Sequence, residues 1–387
     1  MDRGLGKAEL ETGPMPENKL TVLLSPTRRC NLRCRYCYVE QRGQEDMNLD
    51  DFRAFYSWLP GYCRHIGASR LELSWFGGEP LAYGQARWEQ ALEMQEEFLA
   101  PCGIPWVNRM QSNLLLATEQ TCRLLQKHFD SAIGGSFEPQ GSQRIYPDGR
   151  TSATDVERKI AFLRENGIRV GIVSTLTKTD LLPPSEFYAW FKNRVDAVRV
   201  NRAHPPRKDD VSADDYLNLR EYGDYVLELS RLYVADEHPG FDFTNFTSIM
   251  RAMFLHHPLE CVSIQEPHWK IAVSGPGVLS SCCRCKEIVL GNVHDSSPAD
   301  VVATYRQHSR PLVLSERCRE CEFRPSGLCD GGCFGEPDCD CMESECGYRT
   351  EYTRETLAFV KDFLAANHIG TLEEGMHFHS ILQSRRK

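Results

Sequence analysis

The sequence predicts an α/β chain built on a parallel sheet, followed by a small cysteine-rich part and a closing helix. Three observations carry this. Short apolar segments alternate with stretches of helical period from residue 20 to about residue 202, the pattern of parallel strands joined by helices. Three cysteines, Cys30, Cys34 and Cys37, stand directly behind the first apolar segment. Most of the other cysteines, of 17 in 387 residues, fall in the second half, where the strand–helix alternation fades.

Taken in order, residues 20–24 read as the first strand, and residues 71–76 alternate as a half-buried second strand that runs into Gly77, Gly78, Glu79 and Pro80. Trp88, Ala91, Leu92 and Leu99 recur at helical spacing. Residues 106–111 form a third strand ending at Ser112 and Asn113, and residues 132–136 a short fourth ending at Ser136 and SFEPQ. Val156, Ile160 and Leu163 mark the next helix; Thr154 with Glu157 is a capping-box pattern for its start, and Gly167 stops it before a strand at 168–173. Residues 195–200 are the sixth strand. His204, Pro205, Pro206 and the charged run to Asp215 read as a solvated linker into a long helix ending near Leu232. Leu357, Val360 and Leu364 place a last helix over 352–366.

The triplet CNLRCRYCY has the spacing C-x3-C-x2-C. Three thiolates on one loop can hold three irons of a cubane and leave the fourth open for a substrate-like ligand. This run resembles the signature of the radical SAM family, in which it follows the first strand of a partial (β/α)6 barrel. The resemblance implies a [4Fe-4S] cluster whose open iron is chelated by S-adenosylmethionine, and reductive cleavage of that sulfonium to a 5'-deoxyadenosyl radical, chemistry that the cofactor carries and the protein positions. Tyr36 matches the family's aromatic residue beside the adenine; a packing role is the plain alternative.

Other segments resemble the family in the expected order. Gly77, Gly78, Glu79 and Pro80 are similar to its GGEP turn, where the glycines let backbone approach a ligand closely and Glu79 supplies charge to the methionine ammonium. An ordinary Gly-Pro turn is the alternative. QSNLLLAT, with Ser112 and Asn113, looks like the family's QTNGTLLT near the ribose. Ser136 opens the segment where most peptide-modifying relatives carry SLDGP, so Phe137, Glu138 and Gln140 are departures that bear on substrate class.

The second half resembles the SPASM extension, which holds two auxiliary iron-sulfur clusters. Cys318, Cys321, Cys329 and Cys333 are spaced C-x2-C-x7-C-x3-C, two residues longer in the middle gap than the commoner pattern; Gly277 and Cys282 form G-x4-C, and Gly291 and Asn292 match the motif that follows. The resemblance assigns Cys318, Cys321, Cys329 and Cys346 to an outer cluster and Cys261, Cys282 and Cys333 to an inner one. Sulfatase-maturing relatives place a further inner ligand where this chain has Pro267, so the resemblance leaves the inner cluster with an open iron or with Cys283 or Cys285 completing it. They also place an acidic base where this chain has Cys283, a candidate catalytic hydrogen donor. Cys339 and Cys341 match nothing in the pattern. A structural zinc site on Cys318, Cys321, Cys329 and Cys333 is the competing reading.

The division expected is a tail over 1–18, the barrel over 19–202, a bridging segment over 203–254, the SPASM-type domain over 255–349 and a C-terminal helix and tail over 350–387. A net charge of −9 disfavours nucleic acid as a partner, and no stretch is long enough to span a bilayer. The first residues do not form a signal peptide, so the cysteines read as metal ligands in a reducing cytoplasm. The resemblance implies a low-potential electron donor such as flavodoxin or ferredoxin. It implies a peptide or protein substrate, to be oxidised, crosslinked or epimerised. An aminoglycoside-type sugar dehydrogenase or epimerase is the alternative; a non-catalytic iron-sulfur or zinc module is an alternative of another class. Cys63, Cys102 and Cys122 read as buried structural thiols.

Overall fold

The computed structural model describes residues 18–37, 39, 45–203, 215–255, 269–281, 288–308 and 341–370. In chain order the first half runs β1 (Lys19–Ser25), α1 (Leu49–Ile66), β2 (Arg70–Trp75), α2 (Gln85–Leu99), β3 (Trp106–Ser112), α3 (Glu119–His128), β4 (Ala132–Ser136), α4 (Ala153–Glu165), β5 (Arg169–Leu176), α5 (Pro184–Phe191) and β6 (Ala197–Arg202). It continues with α6 (Leu219–Ala235), β7 (Asp242–Phe243), α7 (Thr244–Leu255), β8 (Lys270–Ser274), β9 (Val278–Ser280), β10 (Val289–Asn292), α8 (Pro298–His308) and α9 (Cys341–Ala366).

The strands form one sheet in the order β10-β9-β8-β1-β2-β3-β4-β5-β6-β7. Strands β1 to β7 pair in sequence and in parallel, β8 adds in parallel to the other edge of β1, and β9 and β10 fold back antiparallel. Parallel neighbours in sequential order need right-handed crossovers, which place the connecting helices on one face and leave the other face open. They also bring the carboxyl ends of β1 to β6 to a single edge, where ligands of such sheets bind. The α/β prediction holds, with the six strands of the first half found within three residues of the expected positions.

The helix-covered face is apolar. Leu20, Val22 and Leu24 of β1 and Phe52, Phe55, Tyr56 and Leu59 of α1 are fully buried. Each such side chain contributes roughly 1.5–3 kcal/mol by leaving water. Trp75 packs on Trp88 with ring centroids 4.4 Å apart, and its Nε1–H donates to Asn108 Oδ1 at 2.9 Å. Asn108 also exchanges two hydrogen bonds with Gln95 of α2, so this buried polar cluster is internally satisfied.

Two local expectations are corrected. Thr154 and Glu157 do not form the start of α4: its N-cap is Ser152, whose hydroxyl donates to the Arg144 carbonyl at 3.2 Å and makes no cap bond of its own, so Thr154 already lies inside the helix. Cys102 is exposed, whereas Cys63 and Cys122 are buried as expected, because Cys102 sits on the short turn that follows α2. Gly167, with φ +75°, does end the helix. The linker expected from His204 lies outside the described residues up to Asp215, and the helix beyond it runs to Ala235.

Candidate functional site

The loop after β1 carries Cys30, Cys34 and Cys37 at the carboxyl edge of the sheet, all three free and partly exposed. Its backbone is pinned on two sides. Arg33 N–H donates to the Ile145 carbonyl at 2.7 Å and Arg35 N–H to the Gln143 carbonyl at 3.0 Å. On the other side Gly78 N–H donates to the Thr27 carbonyl at 3.0 Å and Glu79 N–H to the Arg29 carbonyl at 2.8 Å. A Cβ on Gly77 would run into the Thr27 carbonyl, and one on Gly78 into the Arg28 and Arg29 carbonyls. The close approach these glycines permit is therefore to the cysteine loop itself.

Three N–H donors reach the sulfurs. Leu32 N–H lies 3.4 Å from Cys30 Sγ, the Asn113 side-chain amide 3.7 Å from the same sulfur, and Arg144 Nη1 3.9 Å from Cys34 Sγ. Asn113 Nδ2 also donates to Asn31 Oδ1 at 2.7 Å, so the end of β3 is tied to the cysteine loop. Asn113 in turn hangs on Glu79, which is 1% exposed. Glu79 Oε2 accepts from Asn113 N–H at 2.7 Å, and Oε1 accepts from the Ser112 hydroxyl at 2.7 Å and Leu81 N–H at 3.0 Å. Burial raises the Glu79 carboxyl above its ordinary value, against the opposing pull of these three donors. Pro80 begins the short turn at Pro80–Tyr83 and its carbonyl accepts from Trp88 Nε1 at 2.8 Å.

A second buried carboxylate lies across the loop. Glu138 is fully buried; its Oε2 accepts from Arg144 Nε at 2.7 Å, and its Oε1 from Arg144 Nη2 at 3.2 Å, Tyr36 OH at 3.1 Å and Thr175 N–H at 2.8 Å. The Arg144 guanidinium stands 5.4 Å from the centroid of the Tyr36 ring. Burial holds the Tyr36 phenol well above its ordinary value, so it serves here as a neutral donor. The loop bearing Arg144 is fixed by Asp180, which accepts from the Ser142 hydroxyl and from Ser142 N–H and Gln143 N–H at 3.1 Å each. Ser136 Oγ accepts from Gln111 Nε2 at 2.8 Å on the open face of the sheet.

That open face holds a cavity of about 470 Å³ whose lining includes Ser74, Gln111, Gly134, Gly171, Ala197 and Asp242. Small side chains on adjacent strands make the room. Because Ala197 and Asp242 are the first residues of their strands, the cavity reaches the edge opposite the cysteine loop.

The structure thus brings Cys30, Cys34, Cys37, Glu79, Ser112 and Asn113 together at one edge, with Tyr36 beside them. Gly277, with φ +69°, and Asn292 also meet: Asn292 Nδ2 donates to the Pro276 carbonyl at 2.8 Å and Val293 N–H to the Gly277 carbonyl at 2.9 Å. Cys261, Cys282, Cys283, Cys285, Cys318, Cys321, Cys329, Cys333 and Cys339 lie outside the described residues, as do the side chains of Cys341 and Cys346. Arg144 and Thr175 are the site residues that sequence reasoning missed. A charge at the carboxyl end of a parallel strand, Glu138, was the available signal; its partner in an irregular loop has no periodicity to betray it.

The donor set fits an iron-sulfur group. Burial pushes the Cys30 thiol up to about 11, and raises Cys34 too, so a metal must displace their protons, and the surrounding N–H groups suit metal-bound thiolates. No helix among the described residues is long and apolar enough to cross a membrane.

No protein-family model matches the chain. It is 23% identical over 363 residues to a serine-type anaerobic sulfatase-maturating enzyme of Klebsiella pneumoniae, covering 90% of each chain. It is 21% identical over 354 residues to the radical SAM cyclopropyl synthase TigE of Paramaledivibacter caminithermalis, covering 84% of this chain and 69% of that one. A solved structure of anSMEcpe with bound AdoMet and the Kp18Cys peptide superposes with a TM-score of 0.72 at 17% identity, covering 89% of this chain and 99% of that one. The chain has the radical SAM fold, and in sequence and structure it is related to the anaerobic sulfatase-maturating enzymes and radical SAM peptide maturases.

Proposed function

We propose that this chain, which has the radical SAM fold and is related to the anaerobic sulfatase-maturating enzymes, is a radical SAM enzyme that abstracts hydrogen from a carbon of a peptide or protein substrate. The observation that carries the reading is the meeting of Cys30 with Asn113 and of Cys34 with Arg144, on the loop that also bears Cys37, at the carboxyl edge of the parallel sheet. Cys30, Cys34 and Cys37 would hold a [4Fe-4S] cluster. Cluster and S-adenosylmethionine together supply one-electron cleavage of the sulfonium, with the electron coming from a flavodoxin- or ferredoxin-type donor.

The chain's own residues orient that group. Leu32, Asn113 and Arg144 direct N–H groups at the sulfurs, and Glu79 keeps Ser112 and Asn113 in place. In the second half, Cys318, Cys321, Cys329 and Cys346 would hold an outer auxiliary cluster, and Cys261, Cys282 and Cys333 an inner one. Cys283 is either the inner cluster's fourth ligand or a hydrogen donor to the substrate radical, and its standing in place of an acidic base speaks against simple sulfatase maturation. A reducing cytoplasm suits such ligands.

The departures in SFEPQ, which bear on substrate class, are largely internal. Phe137 packs against Trp190 with ring centroids 4.5 Å apart and Glu138 is consumed by Arg144, leaving Gln140 exposed. Phe137 and Glu138 therefore give no argument for a small-molecule substrate. The test is anaerobic incubation with S-adenosylmethionine and a low-potential reductant. Formation of 5'-deoxyadenosine, stimulated by a peptide substrate and abolished when Cys30, Cys34 and Cys37 are replaced by alanine, is expected; none from iron-loaded protein would sink the reading and favour a non-catalytic module.

A further inference from the structure

We infer that the Glu138–Arg144 pair is a positioning device that sets the reduction potential of the cluster held by Cys30, Cys34 and Cys37, with Arg144 presenting a charged N–H to the Cys34 sulfur and Glu138 holding it there. The inference rests on the proposed ligation of that cluster. A guanidinium has five N–H donors in a rigid fork. Two donors on one edge of this one, Nε and Nη2, are taken by the Glu138 carboxylate at 2.7 and 3.2 Å, which fixes the plane and directs Nη1 to Cys34 Sγ at 3.9 Å. The carboxylate is itself immobilised by Thr175 N–H at the end of β5 and by Tyr36 OH from the cysteine loop. The Arg144 backbone is held at the start of α4, where its carbonyl accepts from Ser152 N–H at 3.0 Å.

Burial makes the arrangement matter. The Arg144 side chain is 10% exposed and that of Glu138 0%, so water screens neither charge. Hydrogen bonds to cluster sulfurs and local charge are among the determinants of an iron-sulfur potential. The pair is neutral as a whole, yet its positive end faces the sulfur and its negative end faces Thr175. Uptake of one electron from a flavodoxin- or ferredoxin-type donor adds one negative charge at the cluster, with no proton and no bond change. The Arg144 end of the dipole favours that added charge, so Arg144 makes the cluster easier to reduce.

The test is redox potentiometry followed by electron paramagnetic resonance on anaerobically reconstituted full-length protein. The signal of the Cys30, Cys34 and Cys37 triple-alanine variant is subtracted to isolate this cluster. Arg144→Gln alone leaves Glu138 unpaired in the interior and endangers folding, so the double variant Glu138→Gln with Arg144→Gln and the single Arg144→Lys are used beside it. The double variant is expected to keep wild-type iron while its reduction equilibrium constant falls about tenfold, a shift of about 59 mV to lower potential for one electron. Arg144→Lys, which keeps the charge, is expected to recover part of that shift. An unchanged midpoint at full iron content would overturn the inference, as would loss of this cluster's iron in both variants, which would make the pair a scaffold only. A wild-type protein without any signal attributable to the three cysteines would instead overturn the proposed ligation itself.

Discussion

The backbone N–H of Asn113 donates to Glu79 Oε2 at 2.7 Å, joining the turn after β2 to the end of β3 across 34 residues of chain. Because the Asn113 side chain reaches Cys30 Sγ, this one bond couples a buried carboxylate to the position of a proposed cluster ligand.

Replacing Glu79 by Gln should therefore act first on structure. The three donors around Glu79 face two acceptor oxygens, and an amide nitrogen in place of one oxygen leaves at least one buried donor unpaired. A loss of about 1–3 kcal/mol is expected, read as a lowered urea midpoint at unchanged slope. An unaltered midpoint would leave Glu79 free for a ligand role alone.

Gly78→Ala should damage cluster loading from a position that touches no sulfur. Its Cβ would strike the Arg28 and Arg29 carbonyls, forcing the cysteine loop away from the turn after β2. Overpacking of this kind costs about 1–3 kcal/mol. Reconstituted iron attributable to Cys30, Cys34 and Cys37 should fall, measured as the difference from the triple-alanine variant; full loading would show that the loop tolerates the shift.

Metal content separates the three proposed cluster sites. Ten matching cysteines suggest about twelve irons per reconstituted chain, and replacing Cys30, Cys34 and Cys37 by alanine should remove about four. Stoichiometric zinc in natively purified protein, with the iron of one cluster only, would overturn the auxiliary iron-sulfur assignment.

The Glu138–Arg144 pair predicts a non-additive stability cycle. Glu138→Gln leaves a buried guanidinium uncompensated and should cost about 3–5 kcal/mol in chemical denaturation. The double replacement by Gln at both positions should cost less than the sum of the singles. Additive costs would mean that the two charges do not depend on each other.

The sequence by itself determined the six strands of the first half and the ligand-bearing loop, but not β7 to β10. Residues 71–76 carry their burial in a two-residue alternation, residues 20–24 and 132–136 are short apolar runs, and the helices show a 3.6-residue period, so local pattern sufficed for these. The cysteine spacing was equally local. Tertiary structure alone decided what surrounds those cysteines. Glu79 with Asn113, Glu138 with Thr175 and Arg144 with Cys34 are separated by 34, 37 and 110 residues, and no periodicity links such pairs. They meet because sequential parallel pairing gathers the carboxyl ends of β1 to β5 at one edge. Even where sequence marked the right residues, as at Gly77 and Gly78, only the fold revealed that the neighbour needing room was the Thr27–Arg29 backbone, a contact set by strand packing.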